Sequence, residues 1–153
     1  MRALLQRVSE ASVAIDGEVV GAIGRGYLVL LGVGKGDTEA HLEKLVDKIC
    51  HLRLFPDEQG KMNLDVFQAG GSILCVSQFT LYADCKRGRR PGFSDSEEPV
   101  LAKAMWELFC ARLRERGLTV ETGRFGADMQ VRLLNDGPVT IHLDSRELQA
   151  VPT

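Results

Sequence analysis

The 153-residue sequence predicts a single α/β domain. Three observations support this prediction: an alternating stretch near the start that is typical of a β-hairpin, two apolar strands that each precede an amphipathic helix, and two more strands near the end. A chain of this length buries about two-thirds of its unfolded surface, so it needs no metal or disulfide in order to fold. Apolar residues make up 44% and charged residues 26% of the sequence, which are ordinary proportions for a soluble globular protein.

The first half of the chain predicts a hairpin, a buried strand and a helix. Residues 3–23 alternate between apolar and polar side chains, and Asp16-Gly17 lies where a short hairpin turn is expected. Residues 27–33 form a continuous apolar run between glycines, which indicates a strand covered on both faces. Asp37 is the predicted N-cap of the first helix. The apolar face of that helix comprises Leu42, Leu45, Val46, Ile49 and Cys50.

The second half predicts another buried strand and a second helix. Residues 72–77 are mainly apolar and follow a glycine pair, as expected of a buried strand. The second helix is predicted to begin at Ser96 and to end at Gly117, which places Pro99 in the first turn, where no intrahelical N–H is needed. Its apolar face is expected to comprise Leu101, Met105, Leu108 and Leu113.

Two strands near residues 129–134 and 139–143 complete the predicted domain, which spans residues 1–145. Residues 146–153 are expected to form a loose C-terminal tail. The sequence has no repeat, no low-complexity tract and no linker, so one domain accounts for it.

The cysteines and histidines predict neither a disulfide nor a metal site. The four cysteines include no C-x-x-C pair, and the three histidines are not spaced as H-x-x-x-H, so no zinc and no cofactor are expected. Cys50, Cys75 and Cys110 fall in helical or strand patterns and are expected to be buried free thiols. The sequence shows no signal peptide and no apolar segment approaching about 20 residues. These features favour a cytoplasmic protein with no membrane partner.

Polar side chains at the end of the strand at residues 72–77 form the first candidate site. Ser77, Gln78 and Thr80 supply hydroxyl and amide groups, and Phe79 lies among them. Such a run can line a pocket with hydrogen-bonding groups while the aromatic ring packs against a base or a sugar. A half-buried strand with alternating faces explains the same pattern equally well.

Two other segments are candidates for function. Residues 135–140, with the sequence NDGPVT, are predicted first of all to form a turn. Residues 83–93 place four cations within five positions of a chain whose net charge is −2. These cations are Lys86, Arg87, Arg89 and Arg90. The segment is either a solvated surface loop or a phosphate clamp for nucleic acid.

Familiar catalytic arrangements are missing from the sequence. There is no G-x-S-x-G motif, and neither short candidate segment contains a histidine that would activate a hydroxyl group. Glu97 and Glu98 fall in the predicted first turn of the second helix, where the helix dipole accounts for them. A hydrolase built on these segments would therefore not use an ordinary catalytic triad.

Taken together, the SQFTLYA segment (residues 77–83) and the N-x-G-P-x-T segment (residues 135–140) resemble the two signature motifs of the D-aminoacyl-tRNA deacylases. The opening strand, with Arg7-Val8, is similar to that family as well, and the resemblance spans residues 1–143. It implies a deacylase-like α/β fold with mixed, barrel-like β-sheets and two main helices. It also implies a cytosolic homodimer that hydrolyses the ester between a D-amino acid and the 3′-terminal adenosine of tRNA.

The resemblance assigns expected roles to individual residues. Residues 77–79 match the pocket that receives the terminal adenosine and the aminoacyl group, and Thr80 matches a residue considered as a nucleophile. Gly137-Pro138 matches a cis pair that enters the partner's active site, where its carbonyls leave no room for an L side chain. Supporting positions are Arg7, Met129, Asn135 and Thr140.

The expected mechanism does not use a side-chain base, because nothing near Thr80 in sequence can take its proton. Backbone N–H groups of the continuing strand, at about Phe79 and Thr80, would stabilise the oxyanion, and the ribose 2′-hydroxyl would position water. Because steric exclusion acts only against a side chain, glycyl-tRNA, including glycine mischarged on tRNA(Ala), is an expected substrate.

Three other interpretations are consistent with the sequence. A tRNA-binding module without catalysis would use the basic segment and Phe79. A related deacylase subclass has a trans Gly-Pro peptide and admits an L residue such as alanine. A conventional serine or cysteine esterase would lose turnover on Ser77→Ala substitution or on treatment with a thiol reagent.

Overall fold

The long strand β1 (Arg2–Ile15) organises the sheet in the computed structural model, which describes residues 1–151. Along one edge, β1 pairs antiparallel with β2 (Glu18–Ile23) and with β3 (Gly26–Gly32). Along its other edge, β1 pairs antiparallel with β8 (Gln130–Asp144). One strand therefore connects the beginning of the sequence to its end.

The predicted hairpin and the two predicted buried strands are confirmed. Asp16 and Gly17 have φ angles of 51° and 81°, the left-handed conformations that a tight hairpin turn requires. β3 lies parallel to β6 (Ser72–Ser77), and β6 lies parallel to β7 (Val120–Thr122). The central residues of β3 and β6 are buried, as expected for strands covered on both faces.

The sheet curls until its two ends, β2 and β7, come into contact. A Cβ atom at Gly21 in β2 would lie 2.6 Å from the carbonyl oxygen of Thr122 in β7. Two helices, α1 (Glu39–His51) and α2 (Pro99–Glu115), share an apolar core with this sheet. The predicted fold class is therefore confirmed: a single α/β domain with a nearly closed, barrel-like sheet and two main helices.

The start of α1 differs from the prediction by one residue. The N-cap is Thr38, whereas Asp37 makes tertiary contacts. The Asp37 carboxylate accepts the Gly34 N–H at 2.6 Å and lies 2.8 Å from the amino nitrogen of Met1. These contacts hold Asp37 away from the capping position. The predicted apolar face is buried, with Leu42, Leu45, Val46, Ile49 and Cys50 in the core.

The predicted start of α2 is also wrong, because the helix begins at Pro99 and its N-cap is Glu98, not Ser96. The Glu98 carboxylate accepts the N–H groups of Leu101 at 2.7 Å and Val100 at 3.3 Å. Proline suits the first helical position because its missing N–H would have no intrahelical acceptor there.

The buried face of α2 differs in part from the predicted face. Leu101 is 54% exposed, and Met105 and Leu108 are only partly buried, whereas Leu113 lies in the core as predicted. One residue corresponds to a rotation of about 100° around a helix, so burial of Ala102 turns Leu101 toward solvent. The helix stops before Gly117, as predicted. Its buried residues are Ala102, Trp106, Phe109, Cys110 and Leu113.

The prediction of two separate final strands is wrong. Residues 130–134 and 139–143 belong to one strand, β8, so residues 135–140 are not a plain turn. The pairing of β8 with β1 shifts register twice beside Val8, so the strand bulges there and then continues.

Short elements and the chain end complete the description. β4 (Phe55–Pro56) and β5 (Met62–Leu64) are not predicted from the sequence, because two or three residues carry no periodic pattern. The predicted tail is not loose at its start: Ser145–Glu147 forms a 3₁₀ helix, and Leu148 packs against the core. Residues 152–153 of that tail lie outside the described residues. Within residues 1–151, no helix is long and apolar enough to cross a membrane.

Candidate active site

A cavity of about 280 Å³ opens where β6 ends and α2 begins. Its volume lies near the lower end of the range for small-molecule sites, which suits a group of nucleobase or nucleoside size. The walls are largely apolar, with Leu31, Val33, Phe79, Pro99, Ala102, Trp106 and Phe125. The polar lining side chains are Ser77, Gln78, Ser96 and Glu97.

The chain leaves β6 through Gln78 and forms a short 3₁₀ helix, Phe79–Tyr82. The expectation that Phe79 and Thr80 continue the strand is therefore wrong. The Gln78 N–H still donates to the Leu31 carbonyl of β3 at 2.7 Å. The next two N–H groups, those of Phe79 and Thr80, open the 3₁₀ helix and have no intrahelical acceptor. Two backbone donors thus lie together at the edge of the cavity.

The Thr80 hydroxyl interacts with the Gln78 side chain. The Gln78 amide Nε2 donates to Thr80 Oγ1 at 2.5 Å. Thr80 is exposed and lies outside the cavity lining, whereas Ser77, Gln78 and Phe79 form part of it. The structure therefore brings three of the four predicted catalytic residues to the cavity wall and places the fourth at its rim.

The 3₁₀ helix is anchored by Arg2 and by the buried ring of its own last residue, Tyr82. Arg2 Nη1 donates to the Leu81 carbonyl at 2.9 Å, and the guanidinium lies 4.4 Å from the centre of the Tyr82 ring. A Cβ atom at Gly34 would lie 2.6 Å from that ring, so only glycine permits this close approach. These contacts hold the C-terminal end of the 3₁₀ helix against β1 and the segment after β3.

The titratable side chain in the cavity lining is Glu97. Its carboxylate accepts the Gly36 N–H at 3.3 Å and the Glu98 N–H at 2.9 Å. Both oxygens are thus engaged with backbone donors, and Glu97 is not placed as a free general base. Within residues 1–151, no group of three or more His, Cys, Asp or Glu side chains could hold a metal ion.

The second predicted segment lies in the bulged part of β8. The Gly137-Pro138 peptide bond is cis, Gly137 has a φ of 138°, and both residues are exposed. Arg7 is only 8% exposed and donates from Nε to the Asp136 carbonyl at 3.0 Å. Its Nη1 donates to the Leu54 carbonyl at 2.5 Å. A single guanidinium therefore connects this segment to the chain before β4.

The other supporting residues hold the same segment or pack nearby. Asn135 Nδ2 donates to the carbonyls of Arg7 at 3.1 Å and Val139 at 3.0 Å, which closes the bulge. Thr140 is exposed and accepts from Gln6 at 3.4 Å. Met129 packs against the smaller core cluster.

The cavity and the Gly137-Pro138 pair are not brought together within one chain. Ser77 pairs with Leu31 of β3, and Leu31 pairs with Ala3 of β1, whereas the pair lies beside Arg7. Estimated from typical strand and residue spacings, they are about 14 Å apart across three strands and about 13 Å apart along β1. The two predicted parts of the site therefore lie in different regions of the same sheet.

The basic segment forms an exposed loop beside the cavity. Asp84 and Gly92 close its base through two backbone hydrogen bonds of 2.7 and 2.8 Å. Phe93 is the last residue of this segment, and its ring contacts Phe79 edge to face with centroids 4.9 Å apart. The four predicted cations Lys86, Arg87, Arg89 and Arg90 are all exposed.

These features together define an α/β protein with a small-ligand cavity beside a basic loop of the kind that binds nucleic acid. A family model described as D-Tyr-tRNA(Tyr) deacylase matches residues 4–144. The chain belongs to this D-aminoacyl-tRNA deacylase family and is a carboxylic ester hydrolase.

Individual relatives agree with this assignment over nearly their whole length. A D-aminoacyl-tRNA deacylase from Anaeromyxobacter dehalogenans is 59% identical, covering 97% of this chain and 99% of the relative. One from Thermotoga petrophila is 58% identical with the same coverage. A solved structure of the c-Myc DNA unwinding element binding protein shares 45% identity and a TM-score of 0.89, covering 94% of this chain and 98% of that one. A probable eukaryotic D-amino acid tRNA deacylase has the same fold, with a TM-score of 0.79 at 19% identity and the same coverage.

Proposed function

We propose that this protein hydrolyses the ester bond between a D-amino acid and the 3′-terminal adenosine of tRNA, as a chirality proofreading step in the cytoplasm. The observation that carries the proposal is the cavity at residues 77–79, with the N–H groups of Phe79 and Thr80 at its edge. The test is hydrolysis of matched D- and L-tyrosyl-tRNA. The D ester should be cleared and the L ester should survive; equal hydrolysis of both would refute the proposed chirality filter.

The proposed chemistry uses backbone donors. The Phe79 and Thr80 N–H groups stabilise the negative charge that develops on the ester carbonyl oxygen as water attacks. The ribose 2′-hydroxyl of the substrate positions that water. Thr80 does not act as the nucleophile, because its oxygen already accepts from Gln78 and no base is placed to remove its proton.

Replacement of Thr80 by valine tests this mechanism. Valine keeps the branched shape and the backbone N–H, so we expect kcat for D-tyrosyl-tRNA to stay within about tenfold of the wild-type value. Loss of a true nucleophile costs about 10⁴-fold or more, which single-turnover kinetics would reveal. Ser77→Ala serves as the matched hydroxyl deletion and distinguishes a conventional serine esterase.

The Gly137-Pro138 pair is proposed to act as the chirality filter in the active site of a second copy of the chain. Its distance from the cavity along the sheet supports an arrangement in trans. β8 also pairs only with β1 among the described strands, and its outer surface exposes apolar side chains. Val131, Leu133 and Leu134 are 36%, 38% and 56% exposed. An open strand edge with apolar side chains favours self-association.

An inactive subunit should therefore rescue a subunit with a damaged filter. The Phe79→Asp variant is expected to be inactive because it places a charge in the cavity wall, yet it retains Gly137. Refolding Gly137→Ala chains with excess Phe79→Asp chains should restore the selectivity of hydrolysis for D over L esters. A filter acting within its own chain would leave the selectivity of the mixture equal to that of Gly137→Ala alone.

Glycyl-tRNA is a proposed further substrate. Steric exclusion by the filter requires a side chain, and glycine has none. We expect hydrolysis of glycyl-tRNA, including glycine mischarged on tRNA(Ala), at enzyme concentrations that clear D-tyrosyl-tRNA. Survival of glycyl-tRNA under those conditions would show that exclusion alone does not explain selectivity.

The basic loop is proposed to bind tRNA phosphates. Alanine substitution of all four cations should weaken tRNA binding and reduce the slope of log K against log salt by roughly 0.7–0.9 for each phosphate that the loop no longer neutralises. The rate of the chemical step at saturating tRNA should change little. Lys61→Ala, which removes an exposed lysine from the β4–β5 turn, is the control. If the four-alanine variant keeps the wild-type salt slope, the tRNA binds to another part of the surface.

Nucleic-acid binding without catalysis is the second candidate function. It is favoured by the basic loop, and the solved relative at 45% identity is named as a protein that binds a DNA unwinding element. This function predicts salt-sensitive binding of aminoacyl-tRNA with the ester left intact. The D- and L-tyrosyl-tRNA assay therefore separates the two candidates.

A further inference from the structure

Two exposed phenylalanine rings lie between the cavity and the basic loop. Phe79 is 58% exposed and Phe93 is 37% exposed, and their ring planes are inclined at 68° with centroids 4.9 Å apart. Phe79 contributes to the cavity wall, whereas Phe93 lies outside it. Phe93 is thus the next aromatic surface that a ligand would reach on leaving the cavity.

The basic loop precedes Phe93 in sequence, and hydrogen bonds hold the backbone on both sides of this residue. Phe93 directly follows Gly92, whose two backbone hydrogen bonds with Asp84 close the base of the basic loop. The Ser96 hydroxyl donates to the Phe79 carbonyl at 3.2 Å, which links the segment after Phe93 to the 3₁₀ helix. An exposed aromatic ring is therefore fixed between a small cavity and four cations.

Single-stranded nucleic acid is recognised by this combination of features. Aromatic rings stack on successive unpaired bases, and a basic surface follows the phosphates. The two rings are in edge-to-face contact, and their planes are inclined at 68°. Bases stacked on both rings could not lie parallel, as they do in a paired acceptor stem, so the two rings suit unpaired bases that have separated from each other.

We propose that Phe93 is a stacking platform for the unpaired nucleobase that immediately precedes the terminal adenosine of the bound RNA. The strand then passes from the cavity over Phe79 and Phe93 to the cations of the loop. This inference rests on the proposed function, since it requires the terminal adenosine to occupy the cavity. The enzyme then recognises the single-stranded 3′ end of the RNA as well as the amino acid.

The test uses the full chain and two RNA tetranucleotides ending in CCA, one of which lacks the penultimate base. Fluorescence anisotropy gives Kd for each oligonucleotide. Loss of one stacked base should weaken wild-type binding about 5- to 150-fold. Phe93→Ala should weaken binding of the intact oligonucleotide by a similar factor and leave binding of the abasic one unchanged. Phe93→Trp should restore discrimination between the two.

Phe67→Ala is the matched control, because Phe67 has a similar exposure of 41% and lies outside the cavity lining. It should bind both oligonucleotides as the wild type does. The inference is overturned if Phe93→Ala keeps the wild-type preference for the intact oligonucleotide. In that case the substitution and the missing base raise Kd by independent factors, so the missing base is not the one that Phe93 contacts.

Failure of this inference is distinguishable from failure of the proposed function. D-tyrosyl-tRNA hydrolysis with an unchanged KM in Phe93→Ala would leave the function standing and reject the platform. Absence of D-tyrosyl-tRNA hydrolysis in the wild type would reject the function whatever the oligonucleotides show. Support for both requires a higher KM in Phe93→Ala, with kcat within about twofold of wild type. It also requires that Phe93→Ala binds the intact and the abasic oligonucleotide with the same Kd.

Discussion

Replacement of Gly137 by alanine is expected to reduce the ratio of D- to L-tyrosyl-tRNA hydrolysis by roughly 100-fold, the effect of a displacement of about 1 Å in an active site. The added Cβ would lie 2.7 Å from Val139 Cγ2 and 2.9 Å from the Val139 backbone nitrogen. The φ of 138° is also one that alanine rarely adopts. The segment must therefore shift, and the proposed filter shifts with it. Comparison of kcat/KM for the two esters measures the effect.

Gly60→Ala is the control for this experiment. Gly60 has a positive φ of 78°, but a Cβ there would meet nothing within 4 Å. It should lose some stability from backbone strain and keep the wild-type selectivity. If Gly137→Ala behaves in the same way, the pair has no role in selecting the D ester.

Replacement of Gly26 by alanine is expected to have the largest effect on stability, a loss of at least about 4 kcal/mol. The added Cβ would lie 2.7 Å from both the backbone nitrogen and the carbonyl carbon of Ser72, and closer still to its carbonyl oxygen. These atoms belong to β6, and β3 and β6 are neighbouring strands in the centre of the sheet. Since backbone atoms cannot move aside cheaply, the strands must separate.

Thermal unfolding checks this expectation, with a decrease in Tm of about 10 °C or more. Gly24→Ala is the matched control, because Gly24 lies two residues away and its Cβ would meet nothing within 4 Å. It should unfold at or slightly above the wild-type temperature, because alanine restricts the unfolded chain. An equal decrease in Tm for both variants would contradict the packing argument.

The elements that the sequence predicts well are those whose evidence is local. The β1–β2 turn requires only Asp16-Gly17, and the apolar runs of β3 and β6 are complete within seven residues or fewer. The errors arise where distant contacts decide the structure. Asp37 is occupied by Met1 and Gly34, and β8 stays continuous because β1 pairs with it on both sides of its bulge.

The candidate site divides in the same way. Ser77, Gln78 and Phe79 follow directly from one segment, and all three line the cavity. The opposite wall, with Trp106 and Phe125, has no signal in the sequence, because it forms only when α2 packs over the sheet. A 3₁₀ helix of four residues likewise leaves no periodic pattern, which is why the sequence assigns the N–H groups at the cavity edge to a strand.

The distribution of the cysteines has a practical consequence. Cys50, Cys75 and Cys110 are buried, as predicted, and burial raises the pKa of the Cys50 thiol to about 11. Cys85 is exposed and stands at the start of the basic loop. A maleimide dye at neutral pH should therefore attach to one position of the native protein. The wild-type chain thus carries its own attachment point for a fluorescent reporter of RNA arrival, with no cysteine to remove beforehand.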